Sequence, residues 1–139
     1  MKTLALLISL FITALIANAQ DAKSITLTVT IENVASNEGQ ILTALHTKDT
    51  FMKGPGIQNI KSEAKPGSIS FIFEDVKPGA YAISSMHDIN ENQRMDFQDN
   101  GMPKESYAMS GSELIMGPPA FQDVKFEVDG NDLELKLRY

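Results

Sequence analysis

From residue 25 the chain alternates: Ile25, Leu27, Val29 and Ile31 are apolar, and Thr26, Thr28 and Thr30 sit between them. Successive side chains of a strand point to opposite faces, so this pattern specifies a β-strand with one buried face, and the β-branched residues suit it. The same period returns in Ile69, Phe71 and Phe73, in Val124, Phe126 and Val128, and in Leu133, Leu135 and Leu137. Gln40 to His46 and Ala80 to His87 read as further strands, and Asn59 to Ala64 as a short edge strand. Turns fall at 33–39, at Gly54-Pro55-Gly56 within the loop 47–58, at Pro66-Gly67 and at Lys77-Pro78-Gly79. Asp129-Gly130-Asn131 predicts a hairpin between the last two strands.

About seven short strands separated by turn signals specify an all-β protein, a single β-sandwich of immunoglobulin-like or transthyretin-like type with one long loop. No stretch beyond the N-terminus carries a helical stripe. Charge and Pro66, Pro78 and Pro119 protect the sheet edges.

The N-terminus has its own logic. Lys2 precedes an apolar run from Leu4 to Ile16, and Ala17-Asn18-Ala19 follows with small residues where a signal peptidase cuts. The run is shorter than the roughly 20 residues a membrane span needs. The expectation is a signal peptide over residues 1–19 and one domain over 20–139, exported to the periplasm or secreted, with no membrane insertion after cleavage. The sequence has no cysteine, which removes disulfides, a lipidated cysteine and thiol chemistry. It carries 12 basic and 18 acidic residues; Lys2 is the only charge in the leader, so the mature chain stands at 11 against 18. That acidity argues against nucleic acid and is compatible with divalent cations.

The chemistry gathers in the aperiodic stretch from Asp88 to Ala120. Asp88, Asn90, Asn92, Asp96 and Asp99 place oxygen side chains at relative positions 1, 3, 5, 9 and 12, and Arg94 offers its backbone carbonyl from position 7. Alternate residues curling round a hard cation with six to eight oxygens are how a calcium loop works. Gln93 stands where the motif has glycine, Asp99 is shorter than the usual glutamate, and a strand precedes the loop. The expectation is a structural calcium loop on a β scaffold; the plainer reading of the same residues is a run of Asx turns.

Two alternatives remain. Met86, Met95, Met102, Met109 and Met116, with His46 and His87, form a set of soft and imidazole ligands suited to copper; the plainer reading is gap-filling methionine. The other is an enzyme with a loop-built site. The sequence holds no nucleophile elbow and no paired-histidine zinc motif, so no catalytic residue is assigned. His87 reads as a strand-end residue capping the loop, and Tyr107 as an aromatic pin holding it to the sandwich.

The run His87-Asp88, Asn90, Asn92, Asp96-Phe97, then Gly101 to Glu105 and Tyr107, resembles an exported bacterial family catalogued as domain of unknown function 2141. Lys77 to Ala82, Gly117 to Phe121 and Val124-Lys125-Phe126 carry the same resemblance, which covers about Ile25 to Leu137. The Pro-Gly-x-Tyr turn is also similar to transthyretin-like and carboxypeptidase-regulatory-like modules. The resemblance implies an exported, sandwich-like domain and supplies no established activity; the expectation is a non-enzymatic module with an accessory or binding role and an unidentified protein or glycan partner. The family shows glycines within the Asp-x-Asn-x-Asn stretch, where this chain has Gln93.

Overall fold

A computed structural model describes residues 22–111 and 117–139. The leader expected over residues 1–19, and Met116, lie outside the described residues. The elements run β1 (Ile25–Val34), β2 (Gln40–His46), β3 (Gln58–Glu63), β4 (Gly67–Val76), β5 (Gly79–Asp88), β6 (Tyr107–Met109), a single helical turn α1 (Phe121–Val124), β7 (Phe126–Val128) and β8 (Leu133–Arg138).

The alternation in β1 builds what it predicts. Ile25, Leu27, Val29 and Ile31 are buried, and the threonines between them face outward, where the Thr30 and Ser70 hydroxyls hydrogen-bond at 2.9 Å. The strands form two sheets. One has the order β4-β1-β8; the other runs β3-β2-β5-β6, with β7 also paired to β5. Their inner faces meet in one apolar core, in which Leu27, Ile31 and Phe73 oppose Ile41, Leu45 and Ile83, all fully buried. Removing a buried side chain of this size from such a core costs about 3–5 kcal/mol. The fold is an all-β sandwich.

Three expectations are corrected. Tyr107–Met109 forms β6 inside the stretch expected to be loop, which brings the strands among the described residues to eight, in keeping with the seven or so expected. Asp129-Gly130-Asn131 does not close a hairpin: β7 pairs with β5, whereas β8 lies parallel to β1, Leu27 opposite Leu133 and Ile31 opposite Leu137. The turn therefore carries the chain from one sheet to the other. Parallel neighbours need a long crossover, and here the rest of the domain supplies it. Val124 belongs to α1, not to a strand. Phe121 and Val124 share one helical face at i and i+3, both buried, and the Asp123 carboxylate accepts the Ala120 N–H at 2.9 Å.

Ser110 joins β5 to α1. Its N–H donates to the Ile83 carbonyl at 3.0 Å; its hydroxyl accepts the Ile83 N–H at 2.8 Å and donates to the Val124 carbonyl at 2.6 Å. A serine thus continues the ladder where β6 ends.

In β5, Tyr81, Ile83, Ser85 and His87 face the core, so Ala82, Ser84, Met86 and Asp88 face outward. The outward face is covered at both ends. At one end the 47–57 segment and α1 pack Phe51, Phe121 and Val124 on Ala82. At the other lies the loop from Asp88.

Candidate functional site

Asp88 ends β5 and is fully buried. Its Oδ1 accepts the Asn92 N–H at 3.1 Å; its Oδ2 accepts the Gln93 N–H at 2.8 Å and the Gln40 side-chain amide at 2.7 Å. A carboxylate this deep is tolerated because each oxygen is hydrogen-bonded. Gly39 lies against the same place: a Cβ there would collide with the Asp88 carbonyl and the Ile89 backbone. The chain thus starts its excursion from a fixed point.

Glu105 fixes the return. It is 7% exposed, its Oε1 accepts the Ile89 N–H at 3.1 Å, and its Oε2 accepts the Asp96 N–H at 3.2 Å. Two buried carboxylates, one at each end, hold the loop by its backbone. Between them the amides of Asn90 and Asn92 donate to Asp96 Oδ2 at 2.6 and 2.9 Å, and their oxygens accept the N–H groups of Asn92 and Arg94 at 3.2 and 2.9 Å. Gln93 has φ +60°, the left-handed conformation that a glycine adopts without strain.

Asp88, Asn90, Asn92 and Asp96 therefore form one hydrogen-bonded cluster, with the Arg94 backbone in its rim. Asp99 stands apart. Phe97 bridges to Pro103, the Gln98 N–H donates to the Met102 carbonyl at 2.8 Å, and Asp99 lies exposed in the turn beyond, beside Gln98, Asn100 and Lys104. Among the described residues no three His, Asp or Glu side chains gather closely enough to hold a metal ion by themselves. A cation in this loop would lean on the two asparagines and on backbone carbonyls. Glu105 and Gln40 escaped the sequence reading because neither falls on the calcium-loop spacing.

The loop also presents apolar groups. Ile89, Phe97, Met102 and Tyr107 are four of the seven exposed large hydrophobic residues among those described. Tyr107 corrects an expectation: it is 49% exposed, and the backbone ladder of β6 to β5 holds the segment instead of the ring.

The histidines do not converge. His46 faces outward from β2, and His87 faces the core from β5, opposite Ile41. Five ladder steps separate the pairs, about 17 Å at 3.4 Å per residue. His87 is fully buried: Nε2 donates to the Glu38 carbonyl at 2.8 Å, and the ring stacks on Tyr139. Burial pushes the Tyr139 phenol above its ordinary range, opposed by its 2.7 Å hydrogen bond with Ser85. His46 Nε2 lies 3.0 Å from Ser84 Oγ, a serine–histidine contact. Ser84 is flanked in the ladder by Ala44 and Met109.

A family model described as "Uncharacterized protein conserved in bacteria (DUF2141)" matches residues 29–136. The chain belongs to this family. The match runs from within β1 to within β8 and includes both carboxylate anchors and everything between them. No curated protein and no solved structure matches the chain.

Proposed function

We propose that this DUF2141 chain is an exported, non-catalytic binding module that presents the segment 89–107 to a protein or glycan partner. The observation that carries the reading is the concentration of exposed apolar side chains on that one segment, Ile89, Phe97, Met102 and Tyr107, above a backbone held by Asp88 and Glu105. Several exposed apolar side chains carried by one segment on a hydrogen-bonded frame support an interaction role for it.

Calcium is the ion for this frame. Its ligands are Asp88, Asn90, Asn92 and Asp96 with the Arg94 carbonyl; Glu105, hydrogen-bonded to the Ile89 and Asp96 N–H groups, holds the return of the loop without joining them. The support is the conformation at position 6: Gln93 adopts positive φ and donates its N–H to the first aspartate, where the calcium motif uses a glycine. The expected affinity is weak, a Kd on the order of 10⁻⁴ to 10⁻³ M, as in extracellular modules.

Thermal unfolding in EDTA, then in calcium or magnesium, tests the ion. Calcium at ten times its Kd adds about 1.4 kcal/mol, a rise of several degrees. The rise should vanish in Asp96→Ala, which keeps both buried anchors. Equal curves with and without calcium would remove the ion from the proposal. Binding of wild type and of a Phe97→Ser, Met102→Ser double variant to an array of envelope glycans and proteins tests the surface. Equal binding by both would remove the apolar segment as the contact.

A further inference from the structure

The other covered end of the outward face has a polar residue at its centre. His46 is 4% exposed and lies at the end of β2, opposite Ala82. Its Nδ1 is 3.2 Å from the Thr50 carbonyl and its Nε2 is 3.0 Å from Ser84 Oγ. A carbonyl only accepts, so the neutral ring carries its proton on Nδ1, and Nε2 accepts from the serine. Phe51 meets the imidazole edge-on at 5.9 Å, and Phe51 in turn packs on Phe121 at 6.0 Å. One ring therefore ties strand β2, strand β5 and the segment 47–57 together beneath an apolar lid.

That segment has little else to hold it. Thr47 and Thr50 close a turn on themselves, and the Ile57 N–H donates to the Leu45 carbonyl at 2.8 Å. Met52, Gly54 and Gly56 have φ of +58°, +150° and +80°, so the segment folds back through positions of left-handed backbone. Its buried apolar anchor is Phe51. The charged residues of the surrounding elements are Lys48, Asp49 and Lys53 on the segment, Asp123 in α1 and Lys125 after it, Lys61 and Glu63 on β3, and Glu127 on β7, which pairs with Lys125; all are exposed, and none hydrogen-bonds to the imidazole. No carboxylate is in place to compensate a positive ring.

We propose that His46 is an acid-sensitive latch, and that its protonation releases the 47–57 segment and uncovers the small apolar cluster of Phe51, Phe121 and Val124. The second proton goes to Nε2, which then points a donor at Ser84 and forces the serine hydroxyl to turn its own proton away. The charge sits under Phe51 with no anion beside it, and lifting the segment lets water reach it. Burial already holds the His46 pKa below the ordinary imidazole value, with the Thr50 carbonyl opposing.

The sequence has two histidines, so the imidazole signals separate in a nitrogen–proton NMR titration of the intact domain. The expected result is that the His46 signal and the amide hydrogen-exchange protection of residues 47–57 change together as the pH falls, while strands β1 and β4 stay protected. Binding of an apolar dye should rise over the same interval. His46→Gln can keep a donor to Thr50 and an acceptor for Ser84 without titrating, and it should shift that opening to markedly lower pH or abolish it. Loss of protection in step with the whole sandwich, or opening of His46→Gln at the wild-type pH, would overturn the latch. If the glutamine variant fails to fold, the wild-type titration alone decides.

Discussion

One sheet face is closed at its two ends by opposite means. At the Ala82 end the cover is apolar: Phe51, Phe121 and Val124 pack together, and a single histidine provides the polar tie. At the Asp88 end the cover is almost wholly polar, and two buried carboxylates grip it through backbone N–H groups. An apolar cover is non-directional and tolerates small shifts, whereas charge-assisted hydrogen bonds fix angles as well as distances. The comparison teaches where precision resides. The 89–105 loop is held in a defined shape with its hydrophobic groups left outside, and the 47–57 segment spends its phenylalanine on attachment.

The largest expected effect comes from breaking the polar end. Asp88→Ala leaves the Gln93 N–H and the buried Gln40 amide without an acceptor and takes from the Asn92 N–H one of its two, a loss of about 4 kcal/mol in denaturant unfolding. Breaking the apolar end with Phe51→Ala should cost about 3 kcal/mol, and the loss should leave the exchange protection of residues 89–105 unchanged. If either change disturbs the other end, the two covers are coupled and the contrast fails. Acid sharpens it further. The folded His46 pKa lies below the unfolded imidazole value of 6.5, so the neutral form is the one the fold favours. That contribution is complete above pH 6.5 and is lost as the pH falls below it toward the folded value. The stability of His46→Gln should therefore depend less on pH in that window than that of wild type. The smallest effect runs the other way. Gln93→Gly relieves a left-handed non-glycine at φ +60° and should stabilise the native state by about 1 kcal/mol. It should also tighten calcium binding, which calorimetry would read directly; looser binding would detach the turn from the ion.

Much of the sandwich was legible because period two is written locally. β1, β4 and β8 each carry three or more apolar residues at alternate positions, and a one-residue slip would expose all of them. What stayed hidden is short or non-local. β6 has three residues, too few to display a period, and Tyr107 within it is half exposed. The change of sheet at Asp129-Gly130-Asn131 is invisible because the same residues make a good hairpin turn; only the partner of β8, a strand at the far end of the chain, decides between the two. Val124 misled for a related reason: its spacing from Phe126 and Val128 imitates a strand, and Phe121 three residues earlier was the helical sign. In the loop, the spacing located Asp88, Asn90, Asn92 and Asp96 as neighbours. It placed Asp99 with them, and the bridge from Phe97 to Pro103 carries Asp99 elsewhere. Glu105 carried no signal in the spacing, since its role depends on the chain returning.

The parallel pairing of β1 with β8 sets the order of assembly. Thr26 donates its N–H to Asp132 across 106 positions, and every step of that ladder waits for the last strand to be made. Contacts of such separation cost loop-closure entropy before they return any stability, which slows folding. Until the final residues arrive, β1 offers its second edge, with Leu27, Val29 and Ile31 beside it, to any strand that can reach it. Chains truncated by even a few residues before Leu133 should therefore aggregate rather than fold.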